Sequence, residues 1–195
     1  MAKFDVVLLL LLSFHYMLYP TAKSSPDATD FITAECRATR YPDLCVQCLS
    51  TYSSTIQQSQ KRLAQAALSV SLSRAQSVAS FVSKMGRMRS LRPTEYRAVK
   101  DCIDNMANAV DQLNQSVQEL GRADQDFDWH VGNVESWVGA ALTFENTCLD
   151  GFRNPMMDGN VKVAITKRVT DCAQVASNAL VLVHRFASRH KANFP

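Results

Sequence analysis

Six cysteines, Cys36, Cys45, Cys48, Cys102, Cys148 and Cys172, carry most of the chemistry available to this chain, and their spacing decides between metal, redox and structural use. Cys45-x-x-Cys48 has the spacing of half a zinc site or of a redox pair, but no second CxxC follows it. The histidines after residue 15 are His130, His184 and His190, and none stands at ligand spacing from another. His130 sits among Asp126, Asp128 and Glu135, a setting that could suit an acid–base pair but reads first as a solvated loop histidine near acidic neighbours. There is no Gly-rich phosphate loop, no GxSxG elbow and no HExxH pair. We therefore expect no catalytic residue, no metal and no cofactor. Trp129 and Trp137 read as core or bundle-end anchors rather than stacking platforms.

The N-terminus sets the redox context. After a single lysine the chain runs through the short apolar stretch 6–14 and reaches small residues at 22–25, the pattern of a secretory signal peptide over 1–24. No later stretch approaches about 18 consecutive apolar residues, so a soluble, extracellular mature protein is expected. Its roughly 170 residues suit one domain, 25–195. In an oxidising compartment disulfides become the default use of the thiols.

The elements that must position these residues read as helices throughout. Residues 25–33 are polar and proline-containing, and we expect a disordered start. Tyr41-Pro42-Asp43 is a turn between two short helical pieces, and a Cys36–Cys45 bridge would close the 36–50 hairpin, contributing about 2.7 kcal/mol for a loop of that length. From 54 to 85 there is no proline or glycine, and Leu63, Ala67, Val70, Ser77 and Phe81, widened by Ala64, Leu68, Leu72, Ala75, Ala79 and Val82, step at helical spacing to Gly86. A second helix follows the basic loop 86–93, with Val99, Ile103, Met106, Val110, Leu113, Val117 and Leu120 on one face. After a loop over 121–132, Val134, Trp137, Ala141, Phe144 and Cys148 mark a third. After a loop over 151–159, Ile165, Val169, Cys172, Ala176, Ala179, Val183 and Phe186 mark a fourth. No strand alternation competes. The fold class is all-α: an up-and-down four-helix bundle over 54–190 preceded by an N-terminal helical hairpin. In that topology the second and third helices are antiparallel and Cys102 lies beside Cys148; closing that loop would contribute ~4 kcal/mol. Cys48 and Cys172 remain, either as free thiols, with Cys172 buried on its stripe, or as a further bridge.

Charge is unevenly spread. Residues 25–100 carry +6 and residues 151–195 carry +5, whereas 101–150 carry −9, with Arg122 the lone Lys/Arg against ten acids. The second and third helices thus present an acidic surface on an otherwise basic protein, which suits solvation, helix pairing or an electrostatically steered docking face. Basic residues are not interleaved with aromatics, and a nucleic-acid role is not expected. Asn114-Gln115-Ser116 is a glycosylation sequon in mid-helix.

Several of these motifs occur together elsewhere. Cys36-x8-Cys45 enclosing Tyr41-Pro42-Asp43-Leu44, Lys100-Asp101-Cys102 opening a helix with Ala109-Val110-Asp111-Gln112-Leu113, and the run VESWVGAALTFENTCLDGF over 134–152 resemble the plant invertase and pectin methylesterase inhibitor family. The resemblance covers essentially the whole mature chain. It implies bridges Cys36–Cys45 and Cys102–Cys148, no catalysis, and reversible blocking of the cleft of a secreted carbohydrate-active enzyme in the apoplast or cell wall. The 143–152 segment looks like pectin methylesterase inhibitors. Invertase inhibitors are similar in carrying a Pro-Lys-Phe element, where this chain has Asn154-Pro155-Met156-Met157, so an acid invertase is the second expected target. Since the chain ends at Pro195 with no β-helix domain, a free inhibitor is expected rather than an enzyme pro-region. The resemblance further implies contact through the second and third helices, with Asp104, Asn105, Asp111, Gln112, Glu135, Asn146 and Thr147 as docking candidates. A helical binding module without an enzyme target, such as a lipid carrier, is the remaining alternative; it requires a cavity.

Overall fold

The computed structural model describes residues 26–123, 126–153 and 157–193. The signal peptide expected over 1–24 and the loop residues Asn154, Pro155 and Met156 lie outside them.

Pro26–Cys36 (α1) and Pro42–Leu49 (α2) form the N-terminal hairpin. Within the disordered start expected over 25–33, residues 26–33 are instead helical. Ala28, Ile32 and Cys36, four residues apart, are all buried, and Asp27 supplies a negative charge to the first turn. Pro42 opens α2 at a position where the missing N–H costs nothing. The Cys36–Cys45 disulfide closes the hairpin, with Cα atoms 5.6 Å apart.

A 3-10 turn, Ser50–Tyr52, and the short helix Ser53–Ile56 (α3) lead to a break. The uninterrupted helix expected from 54 does not form: Gln57 adopts φ 54°, and the chain restarts at Gln60 with Ser59 as N-cap, its hydroxyl accepting from the Arg62 N–H. No glycine or proline marks this break, because a glutamine occupies the left-handed position.

Gln60–Met85 (α4), Pro93–Arg122 (α5), Phe127–Gly151 (α6) and Asn160–Asn193 (α7) make the bundle. Each packs on its sequence neighbours and α7 closes back on α4, so α5 and α6 form one face of a square and α4 and α7 the opposite face. Cross-links fix the antiparallel sense: Arg74 to Asp171 and Phe81 to Arg168 between α4 and α7, Glu135 to His184 between α6 and α7. The hairpin is tied to α7. Asn178 exchanges two hydrogen bonds with the Tyr41 backbone, at 3.1 and 2.8 Å, and Glu35 takes ion pairs from Arg185 and Arg189 at 3.0 and 2.9 Å.

The expected α7 stripe is the core line: all seven of its residues are buried. On α5 the line is rotated slightly. Val99, Cys102, Met106, Ala109, Leu113 and Leu120 are buried, while Ile103, Val110 and Val117 pack at its edge. On α4 the buried set is Leu63, Ala64, Ala67, Leu68, Ser71, Ala75, Val78 and Val82, and Ser77, expected on the stripe, is exposed.

Of the glycines, Gly86 ends α4 as expected, as its C-cap, though with an ordinary right-handed φ of −61°; a Cβ there would meet Ile103 Cδ1 at 2.8 Å, and the glycine permits α4 and α5 to meet at this end. Gly121 and Gly132, expected in a loop over 121–132, are instead helical: α5 runs on to Arg122 and α6 begins at Phe127. Packing of Leu120, Ala123 and Val131 into the core overrides the roughly 1 kcal/mol that each mid-helix glycine costs.

Candidate functional site

The α5–α6 pair is held at both ends. The Cys102–Cys148 disulfide joins the start of α5 to the end of α6, with Cα atoms 4.4 Å apart. At the other end Glu119 is a buried hub: Asn133 Nδ2 donates to its Oε1 at 3.0 Å, His130 Nδ1 lies 2.9 Å from the same oxygen, and Arg122 approaches Oε2 at 3.5 Å. Hydrogen bonds from Asn133 and His130 hold this carboxyl below its ordinary value despite burial. His130 is therefore no solvated loop residue; it is part of the clamp. Fixed at the Cys102–Cys148 end and again at the Glu119–Asn133 end, the pair has one geometry.

The outward face of α5 is polar. Asp101, Asp104, Asn108, Asp111, Gln115 and Gln118 advance by three or four residues and are exposed. No cation pairs with the side chains of Asp101, Asp104 or Asp111 among the described residues, whereas Glu35, Glu95, Glu119, Asp128, Glu135 and Asp150 all have cationic or histidine partners. On α6 the neighbouring face is small and smooth: Gly132, Ser136, Thr143 and Thr147 are exposed.

The seven docking candidates do not share one surface. Asp104, Asp111 and Thr147 are exposed on these outward faces. Asn105 and Gln112 are half-buried and stand fourteen and seven residues before Glu119, on the seam with α6; Asn105 donates to the Asp101 carbonyl at 2.8 Å. Glu135 faces α7, where its carboxylate lies 3.0 Å from His184 Nδ1. Asn146 lines a groove with Thr170, Gln174 and Arg40 and so also faces α7. Asn114 is exposed on α5, in continuous helix.

Sequence reading passed over Asp101 and Glu145 and placed Trp129 wrongly. Asp101 belongs to the Asp104 stripe, and its three-residue offset was the available signal. Trp129 is 64% exposed in the first turn of α6, not an anchor, and Trp137 is half-buried. Glu145 lies on the core line of α6 with Val131, Val134, Val138, Ala141 and Cys148, and is fully buried. The Cys172 thiol donates to its Oε1 at 3.1 Å, and its Oε2 has no partner among the described residues. Burial pushes this carboxyl up to about 7, so it is protonated below neutrality. Cys48 and Cys172 are both free; Cys48 Sγ lies 3.8 Å from Arg74 Nη2, and the alternative Cys48–Cys172 bridge is not formed.

Among the described residues no group of three or more His, Cys, Asp or Glu is placed to hold a metal ion, and no helix is long and apolar enough to cross a membrane. The apolar crevice between the hairpin and the α4–α7 face, lined by Leu44, Cys48, Val70 and Leu182, measures about 10 Å³. That is the space of about one water-sized sphere, far too little for a lipid chain.

Comparison with known proteins agrees with this architecture. The family described as plant invertase/pectin methylesterase inhibitor matches residues 30–182. Pectinesterase inhibitor 9 of Arabidopsis thaliana is 44% identical over 99% of this chain and 98% of its own length. A 21 kDa protein of Daucus carota is 40% identical over 87% of this chain and 90% of its own. In structure, a mutant form of a pectin methylesterase inhibitor from Arabidopsis superposes with a TM-score of 0.65 over 78% of this chain and 95% of that one, at 20% identity. On the family match and these identities, this chain belongs to the plant invertase/pectin methylesterase inhibitor family.

Proposed function

We propose that this protein is a secreted, non-catalytic inhibitor that docks on a pectin methylesterase through the outward face of α5 and α6 and so blocks access to the enzyme's cleft. The observation that carries the reading is the set of three unpaired carboxylates, Asp101, Asp104 and Asp111, on an outward stripe of α5, in a helix pair clamped at both ends. A docking surface needs little conformational freedom to lose on binding, and the two clamps supply that. The names of its relatives favour the esterase as target.

The mechanism follows from charge. De-esterification turns a neutral polymer into a polyanion, and a groove that accommodates that product tolerates negative charge along its length. The α5 face offers spaced carboxylates to such a groove, which speeds encounter more than it tightens the final complex. The adjacent small side chains of α6 let a partner surface approach its backbone closely. Asp124 and Asn154 lie outside the described residues.

The test is a parallel titration of the purified protein against a plant pectin methylesterase and an acid invertase. Stoichiometric loss of esterase activity with an unaffected invertase is the expected result. Loss of invertase activity alone reverses the target, and no effect on either enzyme removes the inhibitor reading.

A further inference from the structure

The face opposite the proposed docking surface is built differently. Between α4 and α7 runs an open groove of about 790 Å³, lined by Tyr52 at one end and by Arg74, Phe81, Lys167 and Arg168 along its length. Arg168 is seated over the Phe81 ring, its guanidinium carbon 4.1 Å from the ring centroid, so this cation is held on the groove rather than swinging in solvent. The one acidic side chain lining the groove, Asp171, is taken by Arg74 at 2.6 Å. Lys84 stands one turn beyond Phe81, and Arg87 and Arg89 continue the basic end into the 86–92 loop. Lys84, Arg87, Arg89, Lys167 and Arg168 are exposed, and no carboxylate pairs with any of them among the described residues.

A cationic groove of this kind takes a polyanion, and its other walls narrow the class. Ser73 and Ser77 offer hydroxyls, while Val70, Val78, Ala164 and the half-exposed Tyr52 offer apolar surface. A carbohydrate chain presents both, as hydroxyl edges and C–H faces, and a uronate chain adds one carboxylate per sugar. From Arg74 to Lys84 the helix advances about 15 Å, room for several sugar rings in an extended chain.

We infer that the α4–α7 groove is a binding site for a carboxylated polysaccharide, de-esterified polyuronate in particular, on the face turned away from the enzyme. The choice of uronate over other polyanions rests on the proposed esterase target, whose product it is. Because α4–α7 is the back of the α5–α6 face, polymer and enzyme bind without competing, and the inhibitor is retained where de-esterified chains have already been made.

The experiment measures binding of a fully de-esterified oligogalacturonate to the purified full chain by calorimetry at low and moderate salt. The methyl-esterified oligomer, a polyphosphate and anionic phospholipid vesicles serve as competing probes. The de-esterified oligomer should bind, weaken with added salt, and lose about tenfold in affinity in the Lys167→Ala, Arg168→Ala double variant, the expected cost of removing two exposed ion pairs. Thermal unfolding should fall by no more than about 2–4 °C in that variant, from loss of the Arg168–Phe81 contact, and esterase inhibition should be unchanged. The inference is overturned if the de-esterified oligomer does not bind, if the esterified oligomer binds equally well, if polyphosphate or vesicles bind in preference, or if the folded double variant keeps full affinity. Inhibition without polymer binding would remove the groove and leave the docking reading; polymer binding without inhibition would do the reverse.

Discussion

Replacing Glu145 by glutamine tests how the bundle core responds to pH. The carboxyl is fully buried between α6 and α7, its Oε1 accepts from the Cys172 thiol, and its Oε2 has no partner among the described residues. Burial raises it from an ordinary 4.5 to about 7, and the thiol's hydrogen bond pulls only weakly the other way. The folded chain therefore binds this proton more tightly than the unfolded chain does. Stability from this group is complete below pH 4.5, declines as pH rises to about 7, and levels off above that. The span corresponds to ~3 kcal/mol, or roughly 10 °C in Tm for a domain of this size. Cys172 does not confuse the reading, since burial and then the Glu145 carboxylate push its thiol far above the ordinary value and it stays a donor. Of the other charges around Cys172, Asp171 and Arg74 neutralise each other, with Cys48 alongside. Glu145→Gln keeps the acceptor for the thiol but adds an unmatched N–H pair, a pH-independent cost of about 1–3 kcal/mol. Urea unfolding of both proteins from pH 4 to pH 8 should give curves whose difference changes by ~3 kcal/mol, with the wild type declining more. Taking the difference removes groups such as Glu119, whose depressed carboxyl acts in the opposite sense as pH falls. Parallel curves would refute the reasoning.

Two further outcomes follow from the site. Cys102→Ala with Cys148→Ala opens a loop of 46-residue separation and should cost ~4 kcal/mol in chemical unfolding. It should also weaken esterase inhibition under conditions where the variant is still folded; full inhibition by the folded variant would show that the disulfide does not organise the binding face. Trp129→Ala removes a side chain 64% exposed and should change stability by less than about 0.5 kcal/mol. Because Trp129 packs edge-on against His130 of the Glu119 clamp, at 5.1 Å, its loss should weaken inhibition by an order of magnitude or more, as exposed aromatic anchors do at interfaces. Unchanged inhibition would place the enzyme elsewhere.

Much of the fold was legible because apolar periodicity is strong where helices are long. The α7 stripe from Ile165 to Phe186 is buried at every expected position, since it faces both neighbours and the hairpin along its length. Where reading failed, local preference and tertiary packing disagreed. Gly121 and Gly132 signal a loop, yet core packing on either side keeps them helical. Gln57 takes a left-handed conformation with no glycine to announce it, and the helix expected from 54 is broken there. Pro26 suggested disorder but opens a helix whose buried face is carried by Ala28 and Ile32. The site was less legible than the fold. A carboxylate in a sequence carries the same letter whether it is bare like Asp104, paired like Glu135 or buried like Glu145, and only the packing of α7 separates the three. The groove between α4 and α7 was visible only as an excess of basic residues in two segments distant in sequence.

The central claim is that charge on the outward face of α5 brings the enzyme to this protein. Its most direct test is the association rate with a pectin methylesterase, measured across ionic strength for the wild type and for the Asp101→Asn, Asp104→Asn, Asp111→Asn variant. Wild-type association should slow steeply as salt rises, and the variant should start about tenfold slower at low salt and respond little to it, with both converging at high salt. Equal rates for the two proteins at every ionic strength would contradict the account.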